Sequence, residues 1–175
     1  MTGRRVSFLT WNLWGDERWM SRADSVRALL LSVRPDVVAV QELCSTTLWC
    51  LDRFLDGHSR VDDDFHGWSG GSNIWWNRSL LARVEHGHED IGNPDGDRHL
   101  FWVRLEPRST DRGSAFVVAT AHLVWDDFPD PERGPTIRRA QAERIRIALR
   151  RVAADDEPVI LLGDLNHLGS DLPGL

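Results

Sequence analysis

The sequence predicts an α/β fold with mixed sheets, and three observations carry that reading. First, a strand-like run at 6–11, helical spacing over 21–33 and an all-apolar run at 37–40 make a strand–helix–strand unit within about forty residues. Second, runs at 99–105 and 114–123 are rich in β-branched and aromatic residues and flank a turn containing Pro, Gly and Asp, the pattern of an antiparallel hairpin. Third, a long helical pattern opening at Pro135 leads into P-V-I-L-L-G-D-L-N at 158–166, an apolar run that stops at a Gly. Strands alternating with helices call for sheets covered by helices on their outer faces. A parallel crossover beside a hairpin makes those sheets mixed.

Taken in order, V-S-F-L-T-W at 6–11 ends at Asn12, and Leu13–Asp16 forms a loop. Ala23, Val26, Leu29, Leu30 and Val33 recur at helical spacing, with Ser21 as N-cap and Pro35 as stop. Val37–Val40 then delivers Gln41 and Glu42. A helix is expected over 46–55 with Leu48, Leu51, Phe54 and Leu55 inward. The polar stretch 57–71 reads as loop; its triplet Asp62-Asp63-Asp64 could bind a cation, but a solvated loop is the plainer reading. Strands are expected at 72–76 and 80–85, and loop over 86–98 and 124–134. The helix from Pro135 runs to about Ala153, placing Ala140, Ile145, Ala148, Leu149 and Val152 on its inner side. The run Val159–Leu162 reads as a strand buried on both faces.

Length and composition narrow the function classes. At 175 residues, with 41% hydrophobic and 27% charged residues, the chain is one globular domain spanning 1–175. Its net charge of −6 argues against a basic, sequence-blind grip on nucleic acid, although a bound cation can supply local positive charge at a phosphate site. All 21 basic residues are Arg, so Lys is absent from every catalytic assignment, as is Tyr. Cys44 and Cys50 fit no metal spacing and read as reduced thiols in a cytoplasmic protein. The N-terminus lacks a signal-peptide pattern, and no segment is long and apolar enough to span a membrane.

Polar residues gather where apolar runs end. Asn12, Glu42, His122, and Asp164 with Asn166 each follow a buried-looking strand. Side chains two apart in extended chain point the same way, so Asp164 and Asn166 would face one spot at a strand's C-terminal end. Ligands of open α/β sheets gather at such ends. Alone, Glu42 reads as a surface residue or a salt-bridge partner, His122 as a core histidine bonded to a neighbour and Asn12 as a turn former. Together they are four strands ending in hard-oxygen or hydrogen-bonding groups, with no soft ligand among them.

At these residues the chain resembles the endonuclease/exonuclease/phosphatase superfamily. T-W-N-L at 10–13, P-D-V-V-A-V-Q-E at 35–42, T-A-H-L at 120–123 and G-D-L-N at 163–166 match its motifs in order and spacing. G-G-S-N-I-W-W-N at 70–77 and I-R-R-A-Q at 137–141 resemble its Gly-bearing central strand and Arg-x-x-Gln helix start. The resemblance implies a four-layer α/β/β/α sandwich and hydrolysis of a phosphoester dependent on Mg²⁺, with Mn²⁺ as a substitute. It implies Glu42 on the metal with Asn12 in support, and Asp164 orienting the attacking water. It also implies Asn166 and His122 holding phosphoryl oxygens. Nucleic acid, a phospholipid headgroup and a small phosphate ester all occur as substrates in the family, and the negative charge favours small substrates or short single strands. Trp75-Trp76 and Trp125 could stack a base, although core packing accounts for most of nine Trp.

The family's closing Ser-Asp-His stretch, whose His activates the water, has no match here; Ser170-Asp171-Leu172 lacks the His. The expectation is therefore a domain without its last strands and without its general base. The alternative function is a catalytically dead binding or structural remnant of the same fold. The sequence leaves the oligomeric state open.

Overall fold

A computed structural model describes residues 5–94, 96, 98–109, 114–127 and 130–167. Among them run β1 (Phe8–Asn12), α1 (Trp19–Val33), β2 (Val37–Gln41), α2 (Ser45–Phe54), β3 (His58–Arg60) and α3 (Gly67–Gly70). β4 (Ser72–Asn77), β5 (Leu81–Asp90), β6 (His99–Pro107), β7 (Phe116–His122), α4 (Gly134–Val152) and β8 (Val159–Asp164) follow. Two four-stranded sheets form, in the orders β1-β2-β4-β3 and β5-β6-β7-β8. Both are mixed. β1 and β2 are parallel while β4 runs antiparallel to β2 and β3; β5, β6 and β7 are antiparallel and β8 is parallel to β7.

Strand alternation sorts the side chains into layers. From β2, Val37 and Ala39 join Ile74 and Trp76 against Phe101, Val103, Leu105 and Val118 of the second sheet. Val38 and Val40 point the other way, with Trp75, into Trp19, Val26 and Leu30 of α1 and Leu51 of α2. On the far side, Ile145 and Ala148 of α4 cover Trp102, Val117 and Ala119. The result is an α/β/β/α sandwich, each sheet having one face on the other sheet and one under helices.

Several expectations need correction. Helix α1 starts at Trp19, before Ser21, whose hydroxyl donates to Arg18 O at 2.8 Å from inside the first turn. The buried Trp19 anchors that end in place of a side-chain cap. The polar stretch 57–71 contains β3 and α3. Neither carries a period to read; β3 is created by pairing with β4, and α3 by burial of Trp68. Likewise β5 continues through the Gly- and His-rich 86–90, because an edge strand needs only one buried face and β6 supplies the hydrogen bonds. Asp62, Asp63 and Asp64 are exposed, as a solvated loop requires. Ala140 is also exposed, and Arg138 and Gln141 take the inward positions at the start of α4. Finally, β8 is half-buried; among the described strands only β7 pairs with it.

Candidate active site

The inward-facing column of each strand ends at one rim. Phe8-Thr10-Asn12, Val37-Ala39-Gln41, Phe116-Val118-Thr120-His122 and Ile160-Leu162-Asp164 all alternate into the space between the sheets. The lower members are apolar and part of the inter-sheet core, and the upper members are polar. Gln41, 1% exposed, crosses from sheet to sheet: its Nε2 donates to Thr120 Oγ1 at 2.8 Å and to Thr10 Oγ1 at 3.1 Å. Above this clamp lie the residues singled out from the sequence.

All five come together. Asn12 Nδ2 donates to Glu42 Oε1 at 2.8 Å and to Asp164 Oδ2 at 2.9 Å, joining carboxylates from the two sheets. Its Oδ1 accepts the Trp14 N–H at 2.8 Å, which fixes the amide's orientation. Glu42 follows a strand whose alternation would aim it at the helices. A left-handed backbone at Glu42 (φ 53°) takes it out of that alternation and brings it to Asn12. Such a conformation is costly for a residue with a side chain, and its use at a site is a sign of a constrained position.

Asp164 and Asn166 also converge, but by a different route from extended chain. β8 ends at Asp164, and Asp164 Oδ1 accepts the Asn166 N–H at 3.0 Å, an Asx turn, with Asn166 in the left-handed region (φ 48°). Asn166 Nδ2 then reaches Leu123 O at 2.8 Å and His122 Nε2 at 3.1 Å. His122 Nε2 lies 3.8 Å from both Glu42 Oε1 and Asp164 Oδ2.

His122 is 5% exposed, and burial, reinforced by the nearby Arg98 cation, lowers its pKa from 6.5 to about 4 against the opposing pull of Asp164 and Glu42. The ring is therefore neutral near pH 7 and carries one N–H. With Asn166 Nδ2 donating to it, Nε2 acts as acceptor in this state.

Beside Glu42 and His122 opens a cavity of about 130 Å³, completed by Gly70, Gly71, Ser72, Arg98, His99 and Phe101. Arg98 and His99 fall in and next to a stretch that reads as loop from sequence, and only the pairing of β6 with β7 carries them to the rim. Gln41 and Thr120 were within reach, since strand parity places both between the sheets. Ser170, Asp171 and Leu172 lie outside the described residues.

A hard cation such as Mg²⁺ takes oxygen ligands, few of them carboxylates, and keeps several waters. Glu42 and Asp164 offer carboxylate oxygens with about a third of each side chain exposed, so the donor set fits. Asn12 has its oxygen engaged by Trp14 and fits as the brace of Glu42. Among the described residues no group of three or more His, Cys, Asp or Glu is placed to hold a metal ion by itself.

Two packed sheets flanked by helices, with one polar rim joining them, make an α/β/β/α sandwich with its polar residues gathered at one edge. The chain belongs to the endonuclease/exonuclease/phosphatase family, whose model matches residues 9–173. No curated protein matches it in sequence. Among solved structures, a humanized D. rerio TDP2 aligns over 94% of this chain and 63% of its own, at 21% identity and TM-score 0.72. The Bacteroides thetaiotaomicron mannosyl-6-phosphatase aligns over 93% of this chain and 66% of its own, at 19% identity and TM-score 0.75. ANGEL2, a 2',3'-cyclic phosphatase, aligns over 92% and 52%, at 17% identity and TM-score 0.72. The chain thus spans less than two thirds of the length of these proteins, and at these identities the likeness is one of fold. No described helix is long and apolar enough to cross a membrane.

Proposed function

We propose that this domain hydrolyses a phosphoester by in-line attack of water, with Mg²⁺, or Mn²⁺ in its place, held by Glu42 and braced by Asn12. One observation carries the reading: a single amide holds Glu42 and Asp164, from different sheets, at 2.8 and 2.9 Å, with His122 and Asn166 beside them. Two carboxylates so close repel unless a donor or a cation lies between them, and the bracing amide lowers that cost in advance. When bound, the cation supplies charge neutralisation at the phosphoryl oxygens.

The remaining work falls to the chain. Asp164 accepts a hydrogen bond from the attacking water and aims it along the line of the breaking bond. The water oxygen bonds to phosphorus as the bond to the leaving oxygen breaks; one proton of the water passes to solvent by way of its hydrogen bond to Asp164, and the departing oxyanion takes a proton from solvent. Asn166 offers an N–H to a phosphoryl oxygen once substrate displaces it from His122. The neutral imidazole then donates from Nε2, which requires its one proton on that nitrogen. Both donors act where negative charge builds in the transition state.

By itself the domain is expected to show no more than a trace of Mg²⁺-dependent cleavage of bis-p-nitrophenyl phosphate, since no general base is identified beside Asp164, and Asp164→Ala should abolish that trace. Unchanged turnover in Asp164→Ala would remove Asp164 from the mechanism. No turnover of any phosphoester by the unmodified domain would favour a binding remnant of the same fold.

A further inference from the structure

We infer that the cavity beside Glu42 and His122 receives the leaving group of the ester, and that Ser72 and His99 hydrogen-bond a hydroxyl carried by that group. This rests on the hydrolytic reading above and assigns two specificity-determining residues to it.

Strand order places the cavity. In the first sheet the order β1-β2-β4 sets Asn12, then Glu42 just past β2, then Ser72 along the rim. In the second sheet the order β8-β7-β6 sets Asp164, then His122, then His99. Ser72 pairs with Gln41, and the β6–β7 register, continued past Phe101 and Thr120, brings His99 beside His122. Both rows therefore run the same way. They start at the residues that aim the water, pass those at the phosphoryl group and end at Ser72 and His99. In-line displacement sends the leaving oxygen away from the attacking water. Glu42, His122, Ser72 and His99 all line the cavity, whereas Asp164 does not. The cavity is thus on the departing side.

Its walls carry unspent hydrogen-bonding groups. Ser72 tops the inward column of β4, above Ile74 and Trp76, and is 3% exposed. Its hydroxyl has no hydrogen-bond partner among the described residues, so only an occupant of the cavity can supply one. His99 tops the column of β6 in the same way, above Phe101 and Val103. Its Nδ1 is buried without a partner, and the ring lies against Phe65 at 5.0 Å and His88 at 5.5 Å between centroids. A proton on that nitrogen would be a buried donor without an acceptor, at a cost of roughly 1–3 kcal/mol. The neutral ring therefore keeps its proton on Nε2 and offers it to the cavity. Among the described residues, no other buried side-chain atom left without a partner belongs to a residue lining the cavity.

These groups match a hydroxyl. It accepts the Nε2–H of His99 and donates its own proton to Ser72 Oγ, using both of its capacities. An anionic group fits less well, because Glu42 is on the wall and the Arg98 there is engaged by Leu123 O at 2.8 Å and by the Trp125 ring. Phe101 gives the carbon skeleton an apolar surface, and about 130 Å³ holds several waters or one small alcohol in their place. Trp75 and Trp76, farther along β4, are buried in the cores and take no part.

The test is titration calorimetry, with Ca²⁺ replacing Mg²⁺, on three esters of similar size: glycerol 3-phosphate, n-propyl phosphate and 2-carboxyethyl phosphate. Glycerol 3-phosphate is expected to bind about tenfold more tightly than n-propyl phosphate, or 1.4 kcal/mol. The carboxylate ester should gain nothing over n-propyl phosphate. Ser72→Ala and His99→Phe should each cut the hydroxyl advantage to about threefold or less without changing the affinity for n-propyl phosphate. His99→Gln, which keeps an N–H near the place of Nε2, should retain most of it. Equal binding of glycerol 3-phosphate and n-propyl phosphate by the unmodified protein would overturn the inference. So would tightest binding of the carboxylate ester, or the full advantage surviving in both Ser72→Ala and His99→Phe. Inorganic phosphate separates this from the hydrolytic reading. Ca²⁺-dependent phosphate binding without preference among the esters leaves that reading standing and removes the subsite. No binding of phosphate or of any ester removes both.

Discussion

The two carboxylates of the site reach the same amide from very different supports. Glu42 follows β2, every residue of which is at most 1% exposed and which has a partner strand on each side. Asp164 ends β8, a half-buried strand whose first residue, Val159, is 39% exposed. Packing on both faces and a ladder on each edge fix the first: each buried Val of β2 contributes roughly 1.5–3 kcal/mol to keeping the strand where it is. Hydrogen bonds and close backbone approach fix the second. Asp164 O accepts Leu123 N–H at 3.0 Å, its carboxylate holds Asn12 and the Asn166 N–H, and Gly163 lies against Ala121. The two halves should therefore fail differently when altered.

The largest effect is expected at Gly163. Its φ of 145° is a conformation side chains rarely adopt, and a Cβ there would lie 2.1 Å from Ala121 O, a backbone atom with no freedom to turn away. Gly163→Ala should cost about 3 kcal/mol or more and displace Asp164 while Glu42 keeps its place. Chemical denaturation measures the loss. A cost under about 1 kcal/mol would mean that β8 is not held by this approach.

Next comes the histidine between the two halves. The folded protein binds a proton at His122 only near pH 4, whereas the unfolded chain does so from 6.5. As pH falls through that window the unfolded state binds more protons, so stability is full above 6.5 and declines toward 4. The depressed pKa corresponds to about 3 kcal/mol across the window. In metal-free buffer with EDTA, His122→Asn should remove this part of the acid sensitivity. Parallel stability–pH curves for the two proteins would show that His122 is not protonated at the cost its burial implies.

The same contrast explains what was legible beforehand. The buried strand β2, its all-apolar spelling bounded by Pro35-Asp36 and Gln41-Glu42, could be read directly, as could the amphipathic α2 and the Pro135 opening of α4. Residues whose position depends on pairing could not. Arg98 and His99 sit in polar sequence, and only β6 brings them to the cavity. Asn166 reaches His122 through an Asx turn, whereas period-two alternation in extended chain is what its spacing from Asp164 predicts. Glu42 needs a left-handed residue that no periodicity announces. Arg138 and Gln141 occupy inward helix positions that hydrophobic spacing assigns to apolar residues, because they fasten the loop after β7 and do not fill core.

A smaller effect tests the clamp beneath the site. Gln41→Leu is close to Gln in volume but leaves the buried Thr120 hydroxyl without its 2.8 Å partner. An unsatisfied buried polar group costs roughly 1–3 kcal/mol, offset in part by the added apolar contact. We expect a loss of about 2 kcal/mol, and the double change with Thr120→Val to recover most of it. No recovery would indicate that the polar link between the sheets matters through Thr10 or through the shape of Gln41 itself.

The smallest free energy expected is also the one that bears most directly on the metal. Glu42→Gln keeps the size of the side chain and an acceptor oxygen for Asn12, so the rim and β2 should be undisturbed. What changes is the charge. If Glu42 is the principal ligand, replacing its carboxylate with a neutral amide should weaken Mg²⁺ binding at least tenfold, or about 1.4 kcal/mol, by titration calorimetry. The unmetallated protein meanwhile loses one of two neighbouring negative charges, so its stability should stay level or rise slightly. Weaker Mg²⁺ binding together with retained stability assigns Glu42 to the metal. An unchanged affinity would shift the metal to Asp164 and leave Glu42 as the residue that positions Asn12, reversing the roles of the buried and the half-buried halves.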